Sequence, residues 1–144
     1  MKILIYGSTG YIGTILTKYL ANNQVILSKT KVNNFKEICD EIQFIKPDRV
    51  ISTIGFTSMN SNSSISVNSN LTKNIESNLY APLLLANACI AFNIHFTYIG
   101  TGCIYKSNDK KNSFSEDDIP NFFGTDYTII KGFTDKLMKI YPDN

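Results

Sequence analysis

A glycine-spaced turn near the start of the chain constrains the fold more than any other feature. Gly7-Ser8-Thr9-Gly10-Tyr11-Ile12-Gly13 reads G-x-x-G-x-x-G. A short apolar run, Lys2 to Tyr6, precedes it, and an apolar-periodic segment follows it. Strand, glycine turn and helix in that order fit a backbone built to meet a phosphate. Gly7, with no Cβ, permits the tight turn off the strand. Gly10 lets the main chain approach a pyrophosphate, and Gly13 lets the helix pack close to the strand. The helix N-terminus then turns unpaired N–H groups and the positive end of its dipole towards the phosphates. A dinucleotide-binding turn is the reading that uses all three glycines. A glycine triplet outside this context would carry little weight.

The remaining composition narrows the class. With 144 residues the chain is expected to form one domain, residues 1–144, with a real core. Net charge is only +2, and basic residues cluster nowhere beyond Lys110-Lys111, which excludes a nucleic-acid footprint. Cys39, Cys89 and Cys103 make an odd count without C-x-x-C spacing, and His95 is the single histidine. No metal site is expected, and the thiols read as reduced, in a cytoplasmic setting. Cys39 and Cys89 fall in apolar helical patterns and read as small core residues. The N-terminal apolar run is only a strand long before Gly7, so no signal peptide is expected. Leu79 to Phe92 is too short for a membrane span, and Pro82 and Asn87 punctuate it.

Alternating apolar patterns lay out the rest. Ile12, Ile15, Leu16, Tyr19 and Leu20 predict an inward helix face over Tyr11 to Asn22. Gln24 to Ser28 reads as a second buried strand, followed by Lys29-Thr30-Lys31. A dinucleotide fold places an acidic residue at that strand end for a ribose 2′-hydroxyl. Two lysines stand there instead, which suits a 2′-phosphate and favours NADP(H) over NAD(H); two solvated loop lysines are the plain alternative. Asn33 or Asn34 can cap a helix over Phe35 to Lys46, with Phe35, Ile38, Cys39, Ile42 and Ile45 on one face. Arg49 to Ile54 reads as a third strand, and Ser58 to Asn70 as a mobile surface loop near the site. Leu71 to Phe92 reads mainly as helix, with Pro82 an internal break or a first-turn residue of its second part. Ile94 to Gly100 is a fourth strand. Lys106 to Phe123 is loop, its Glu116-Asp117-Asp118 run a solvated face. Thr125 to Ile140 is a last helix with Ile129, Ile130, Phe133, Leu137 and Ile140 inward.

Alternating strands and helices predict an α/β, doubly wound parallel sheet with helices on both faces and spatial strand order 2-1-3-4. The direction of crossover changes between strands one and three, so the ligand crevice lies outside their carboxyl ends. That brings Gly7 to Gly13, Ile54-Gly55 and Thr101 around one site. A second group of residues points to the same place. Tyr127 and Lys131 are four apart on the last helix and share a face, while Thr101 follows the fourth strand. When hydride adds to a carbonyl carbon, the oxygen needs a proton. A tyrosine can give it, although a free phenol titrates only near about 10. A neighbouring ammonium favours the phenolate. Lys131 can also hold nicotinamide ribose hydroxyls, and Thr101 can hydrogen-bond the reacting oxygen. Tyr127 as a surface aromatic beside a solvated Lys131 is the alternative for an isolated Y-x-x-x-K.

The chain resembles the extended short-chain dehydrogenase/reductases over nearly its whole length. GSTGYIG matches the nucleotide loop of that family, KPDRVISTIGFT its third-strand region, Asn78 its helix asparagine and YTIIK its Tyr/Lys pair. GTGCIY and FSEDDIPNFFGTDYTIIK are more narrowly similar to the bifunctional nucleotide-sugar 3,5-epimerase/4-reductases of UDP- and dTDP-rhamnose formation, and less closely to dTDP-4-dehydrorhamnose reductases. The resemblance implies a Rossmann-like fold and a nucleotide-sugar substrate. Gly7, Ser8, Thr9, Gly10, Tyr11, Ile12 and Gly13 would hold the pyrophosphate, and Lys29 would lie by the adenosine ribose. Ile54 and Gly55 would line the nicotinamide side, with Asn78 supporting the strand ends and the lysine. Thr101, Tyr127 and Lys131 would be the reductase triad. Cys103 takes the position of the cysteine in the epimerase-type segment. It is either a proton-exchanging thiol beside a C4 ketone or a buried structural one.

Two departures from the family pattern stand out. Ser58 to Asn70 lacks the charged and aromatic residues the family carries there. The family also continues past Asn144 with another strand and a small substrate lobe, so the chain is expected to be either part of a longer enzyme or a shortened form. A sheet edge beside strand four would then be open, to be covered by a partner chain or in a homodimer. A non-catalytic NADP(H)-binding module, serving as sensor or assembly partner, is the rival to an enzyme.

Overall fold

The computed structural model describes residues 1–57, 67–107 and 113–141. Lys110-Lys111, Ser58 to Ser66 of the expected loop and the last three residues lie outside them. Four strands, β1 (Lys2–Tyr6), β2 (Gln24–Leu27), β3 (Arg49–Ser52) and β4 (His95–Tyr98), pair in parallel in the order β2-β1-β3-β4. This is the Rossmann-like order expected from the sequence. The helices are α1 (Tyr11–Tyr19), α2 (Phe35–Ile45), α3 (Val67–Ile75), α4 (Ala81–Ala91) and α5 (Asp126–Met138). A π-helical turn, Glu76–Tyr80, joins α3 to α4, and a 3-10 turn, Gly102–Ile104, follows β4.

Local chemistry sets several boundaries. The Asn34 side chain accepts from the amides of Lys36 at 3.0 Å and Glu37 at 3.4 Å, capping α2. Lys46 ends the same helix in a left-handed conformation, φ 51°, ahead of Pro47. Thr125 and Thr128 cap α5 reciprocally. Pro82 lies inside a continuous helical run, and the π-helical turn just ahead of it, where the Ala81 amide bonds the Glu76 carbonyl, accommodates its ring and its missing N–H. Helix α3 starts at Val67, so residues 67–70 are helical rather than part of the expected loop.

Right-handed crossovers put α1 on one face of the sheet and α2, α4 and α5 on the other. The main core lies on the second face. Leu4, Tyr6 and Val50 from the sheet meet Ile38 and Ile42 of α2 and Leu85, Ala88 and Cys89 of α4. Burial pushes the Cys89 thiol up to about 12, and Cys39 packs against this cluster. The first face is thinly covered, which corrects two expectations. Ile12, Ile15 and Tyr19 of α1 are 48%, 42% and 84% exposed, since α1 is the one helix there among the described residues. Strand β2 is an edge, and Gln24 and Leu27 are exposed rather than buried.

The inward face of α5 also differs from the apolar pattern. Thr128, Ile130, Lys131, Gly132 and Thr134 are buried, whereas Phe133 and Ile140 are exposed. Close approach to the π-helical turn selects small and hydrogen-bonding residues. The Thr134 hydroxyl donates to the Asn78 carbonyl at 2.6 Å. A Cβ on Gly132 would sit 3.2 Å from the Phe123 ring. No helix among the described residues is long and apolar enough to cross a membrane.

Candidate active site

The glycine turn is a backbone device. Gly7 has φ +80°, and a Cβ there would lie 2.7 Å from the Ile54 nitrogen. A Cβ on Gly13 would overlap the Gly7 carbonyl and lie 2.7 Å from the Ser8 Cα. The third glycine therefore packs the first turn of α1 onto the turn itself, sharpening its expected role against the strand. Gly10 caps α1 without a side chain, and the first turn carries no acidic residue. The Thr14 amide is bonded back to Gly10, which leaves the amides of Tyr11, Ile12 and Gly13 ahead of the helical ladder. Thr9, Gly10, Tyr11 and Ile12 are exposed, and Ser8 is buried beneath them. Thr53, which sequence reasoning passed over, ties this turn to β3. Its hydroxyl bonds the carbonyls of Tyr6 at 3.1 Å and Gly7 at 2.9 Å, sharing its one proton between them.

A cleft of about 400 Å³ opens beside this turn, between Tyr6-Gly7, Thr30 to Asn33, Ile54 and the π-helical turn. Lys31 lines it, and Glu76 stands among the groups of the other wall. Lys29 is exposed and does not line it. The Tyr6 hydroxyl is buried without a hydrogen-bond partner, and burial raises its pKa with Glu41 nearby. Uncapped helix amides beside a turn that a Cβ would fill fit a bound dinucleotide.

Asn78 fixes the next part. Its Oδ1 accepts from the Phe56 amide at 3.2 Å, and its Nδ2 donates to the Phe56 carbonyl at 2.7 Å and to Asn74 Oδ1 at 2.6 Å. Ile54 is half-buried, and Gly55 is exposed beside Asn78, where a Cβ would make an ordinary contact of 3.6 Å with Oδ1. Through its carbonyl Asn78 also holds Thr134, three residues beyond Lys131. One asparagine thus links the end of β3 to α5. The π-helical turn that presents it was invisible in the apolar periodicity.

Lys131 is buried, only 3% exposed, not solvated. Its ammonium donates to the Ile99 carbonyl at 2.9 Å and to the Tyr98 hydroxyl, and lies 4.3 Å from the centre of the Tyr98 ring. Burial lowers its pKa to about 8, partly opposed by Asp135. Burial raises the Tyr98 phenol, with Tyr127 and Asp135 adding to the effect. Tyr127 is half-buried one turn before Lys131. Thr101 accepts from the Cys103 amide at 3.2 Å, which leaves its hydroxyl proton to be donated elsewhere. Cys103 is exposed, against the buried structural alternative. Among the described residues no hydrogen bond joins Thr101, Tyr127 and Lys131 to one another. Tyr98 is the residue that sequence reasoning missed here. Its place in register with Ser52, at the carboxyl end of β4, was its one signal.

Sheet order, glycine turn and the Tyr127/Lys131 helix face define a Rossmann-like fold of short-chain dehydrogenase/reductase type. The RmlD substrate binding domain family matches residues 1–125, and the chain belongs to it. It is 41% identical to the L780 UDP-rhamnose synthase of Acanthamoeba polyphaga mimivirus, with TM-score 0.87, covering 98% of this chain and 52% of that one. It is 30% identical to an Arabidopsis thaliana trifunctional UDP-glucose 4,6-dehydratase/UDP-4-keto-6-deoxy-D-glucose 3,5-epimerase/UDP-4-keto-L-rhamnose-reductase, over 99% of this chain and 22% of that protein. The dTDP-4-dehydrorhamnose reductase of Bacillus anthracis, solved with NADP, shares the fold at TM-score 0.83 and 16% identity, over 99% of this chain and 50% of that one. The chain thus spans about half or less of the length of these relatives.

Proposed function

We propose that residues 1–144 are the NADP(H)-binding, catalytic-residue-bearing part of a longer enzyme of rhamnose nucleotide formation. The reaction is reduction of the C4 ketone of a UDP- or dTDP-4-keto-6-deoxy sugar, with 3,5-epimerisation as an added activity. The observation that carries this reading is Lys131. A buried ammonium sits at the carboxyl end of β4, on the same helix face as Tyr127 and at the end of the strand that leads into Thr101. The relatives named for UDP-rhamnose synthesis and UDP-4-keto-L-rhamnose reduction support the substrate class.

NADPH, when bound, would supply hydride to the ketone carbon. The amides of the glycine turn would hold the pyrophosphate, and Lys31, on the cleft wall, would be the cation available to a 2′-phosphate. Tyr127 would give its hydroxyl proton to the ketone oxygen, which stays on its carbon and becomes the product's hydroxyl. Lys131, largely protonated at pH 7 with a pKa near 8, stabilises the phenolate left behind and holds ribose hydroxyls. Thr101, whose hydroxyl accepts from the Cys103 amide, would donate a hydrogen bond to the same ketone oxygen, keeping its proton, and orient the sugar. Cys103, exposed on the turn that Thr101 caps, exchanges the protons alpha to the ketone during epimerisation.

The test is turnover of UDP-4-keto-6-deoxyglucose and its dTDP counterpart with NADPH by the full chain, beside Tyr127→Phe. Turnover by the wild type that disappears in Tyr127→Phe supports the reading. NADPH binding without turnover of either sugar replaces it with a cofactor-binding module.

A further inference from the structure

Lys131 has three N–H donors, and two of them are already taken inside the protein. One goes to the Ile99 carbonyl at 2.9 Å and one to the Tyr98 hydroxyl. The hydroxyl contact leaves the ammonium nitrogen 4.3 Å from the centre of the Tyr98 ring. The carboxyl end of strand β4 thereby supplies a fixed seat, and a single N–H of Lys131 is left without one of these partners. A buried ammonium without such partners would lose its proton or turn away. We propose that Tyr98 is a positioning residue for the reduction, seating Lys131 so that its charge and its one free donor stay directed at Tyr127 and the cofactor ribose. This inference rests on the function proposed above for its link to turnover, but the seat itself can be measured without it.

Tyr98 acts through its hydroxyl oxygen. That oxygen accepts from the charged lysine, so it favours the protonated form and offsets part of the burial cost. Asp135, one turn on along α5, works in the same direction. Tyr127, the titratable group preceding Lys131 on the same face, acts on Tyr98 and favours its neutral form. The groups that reach α5 from the π-helical turn and from the 3-10 turn, Asn78 and Ile104, carry no charge. Removing the Tyr98 hydroxyl while keeping its ring therefore lowers the pKa of Lys131 further and frees its orientation.

The experiment is the carbon-13 titration of the Lys131 ε-carbon in the full chain labelled with lysine, its resonance assigned by loss in Lys131→Arg. The wild type is expected to titrate near 8. In Tyr98→Phe the midpoint is expected to fall by about half a pH unit or more, and the alkaline limb of kcat to move down by the same amount, while KM for NADPH changes by less than about threefold. Tyr98→Gln keeps an acceptor and is expected to restore most of the midpoint; it also serves if Tyr98→Phe does not fold. A midpoint unchanged in Tyr98→Phe, or lowered equally in Tyr98→Gln and Tyr98→Phe, overturns the proposal. So does a kcat that drops with no movement of its pH profile, which is what a merely structural tyrosine would give. If the wild type turns over neither keto sugar, the proposed reaction fails, and the Lys131 titration still decides the role of Tyr98.

Discussion

The two halves of the proposed site are built from different materials. The proposed cofactor half is main chain: Gly7 at positive φ, helix amides with no side-chain cap, and a Gly13 that leaves no room for a Cβ. The proposed catalytic half rests on side chains: Lys131 on Tyr98 and Ile99, Asn78 on Phe56, Thr134 on Asn78. A site of the first kind is damaged by adding atoms, and one of the second kind by removing functional groups. The halves should therefore fail in opposite ways, and substitutions can separate them.

The largest separation is expected from Tyr127→Phe. Losing a positioned proton donor lowers kcat by roughly 10²–10⁴-fold. Because the glycine turn is untouched, NADPH affinity measured by fluorescence titration should stay within about threefold of wild type. Gly13→Val should give the reverse pattern. Its side chain meets the Gly7 carbonyl and Ser8 backbone, which cannot give way as a flexible side chain would. Overpacking of this kind costs about 1–3 kcal/mol, read as a lower urea midpoint, together with loss of saturable NADPH binding.

A smaller effect concerns pH. Lys131 has a folded pKa near 8, below its usual 10.5. Between these values the unfolded chain binds the extra proton, so this group makes stability rise with pH through that window. Cys89 acts oppositely, since its thiol is raised from 9 to about 12 and its contribution falls away above pH 9. The lysine contribution is thus isolated between about pH 8 and 9, where it should make the wild-type urea midpoint rise relative to that of Lys131→Met. An equal slope in the two proteins would mean that the ammonium is not buried as described. The smallest effect is expected at the cleft wall. Lys31→Ala should reduce the preference for NADPH over NADH by up to about fivefold, the scale of one exposed ion pair.

How much of this was legible in the sequence follows the same division. The glycine turn is contiguous, and its three glycines state their geometry locally. Strand order followed from the alternation of apolar segments and the handedness of crossovers. Tyr127 and Lys131 were legible because four residues make about one helical turn. What the sequence did not show was long-range or one-sided. Tyr98 lies 33 residues from Lys131, and nothing local marks their pairing. Asn78 is presented by a π-helical turn, which has no hydrophobic period of its own. The apolar stripes of α1 and α5 misled because periodicity identifies a helix face without naming what covers it. Ile15 and Tyr19 have no helix opposite them among the described residues, and α5 instead buries Thr134 and Lys131 for hydrogen bonding. The cleft lysine was legible only as a pair, and the turn of the loop put Lys31 rather than Lys29 at the wall.

In the proposed function, a backbone-made cofactor site serves a side-chain-made reducing site. Calorimetric titration of NADPH into wild type, Gly13→Val and Tyr127→Phe tests it most directly. The account predicts one-to-one binding by wild type and Tyr127→Phe, and none by Gly13→Val under conditions where that variant is folded. Equal binding by all three proteins, or no binding by the wild type at millimolar cofactor, would contradict it.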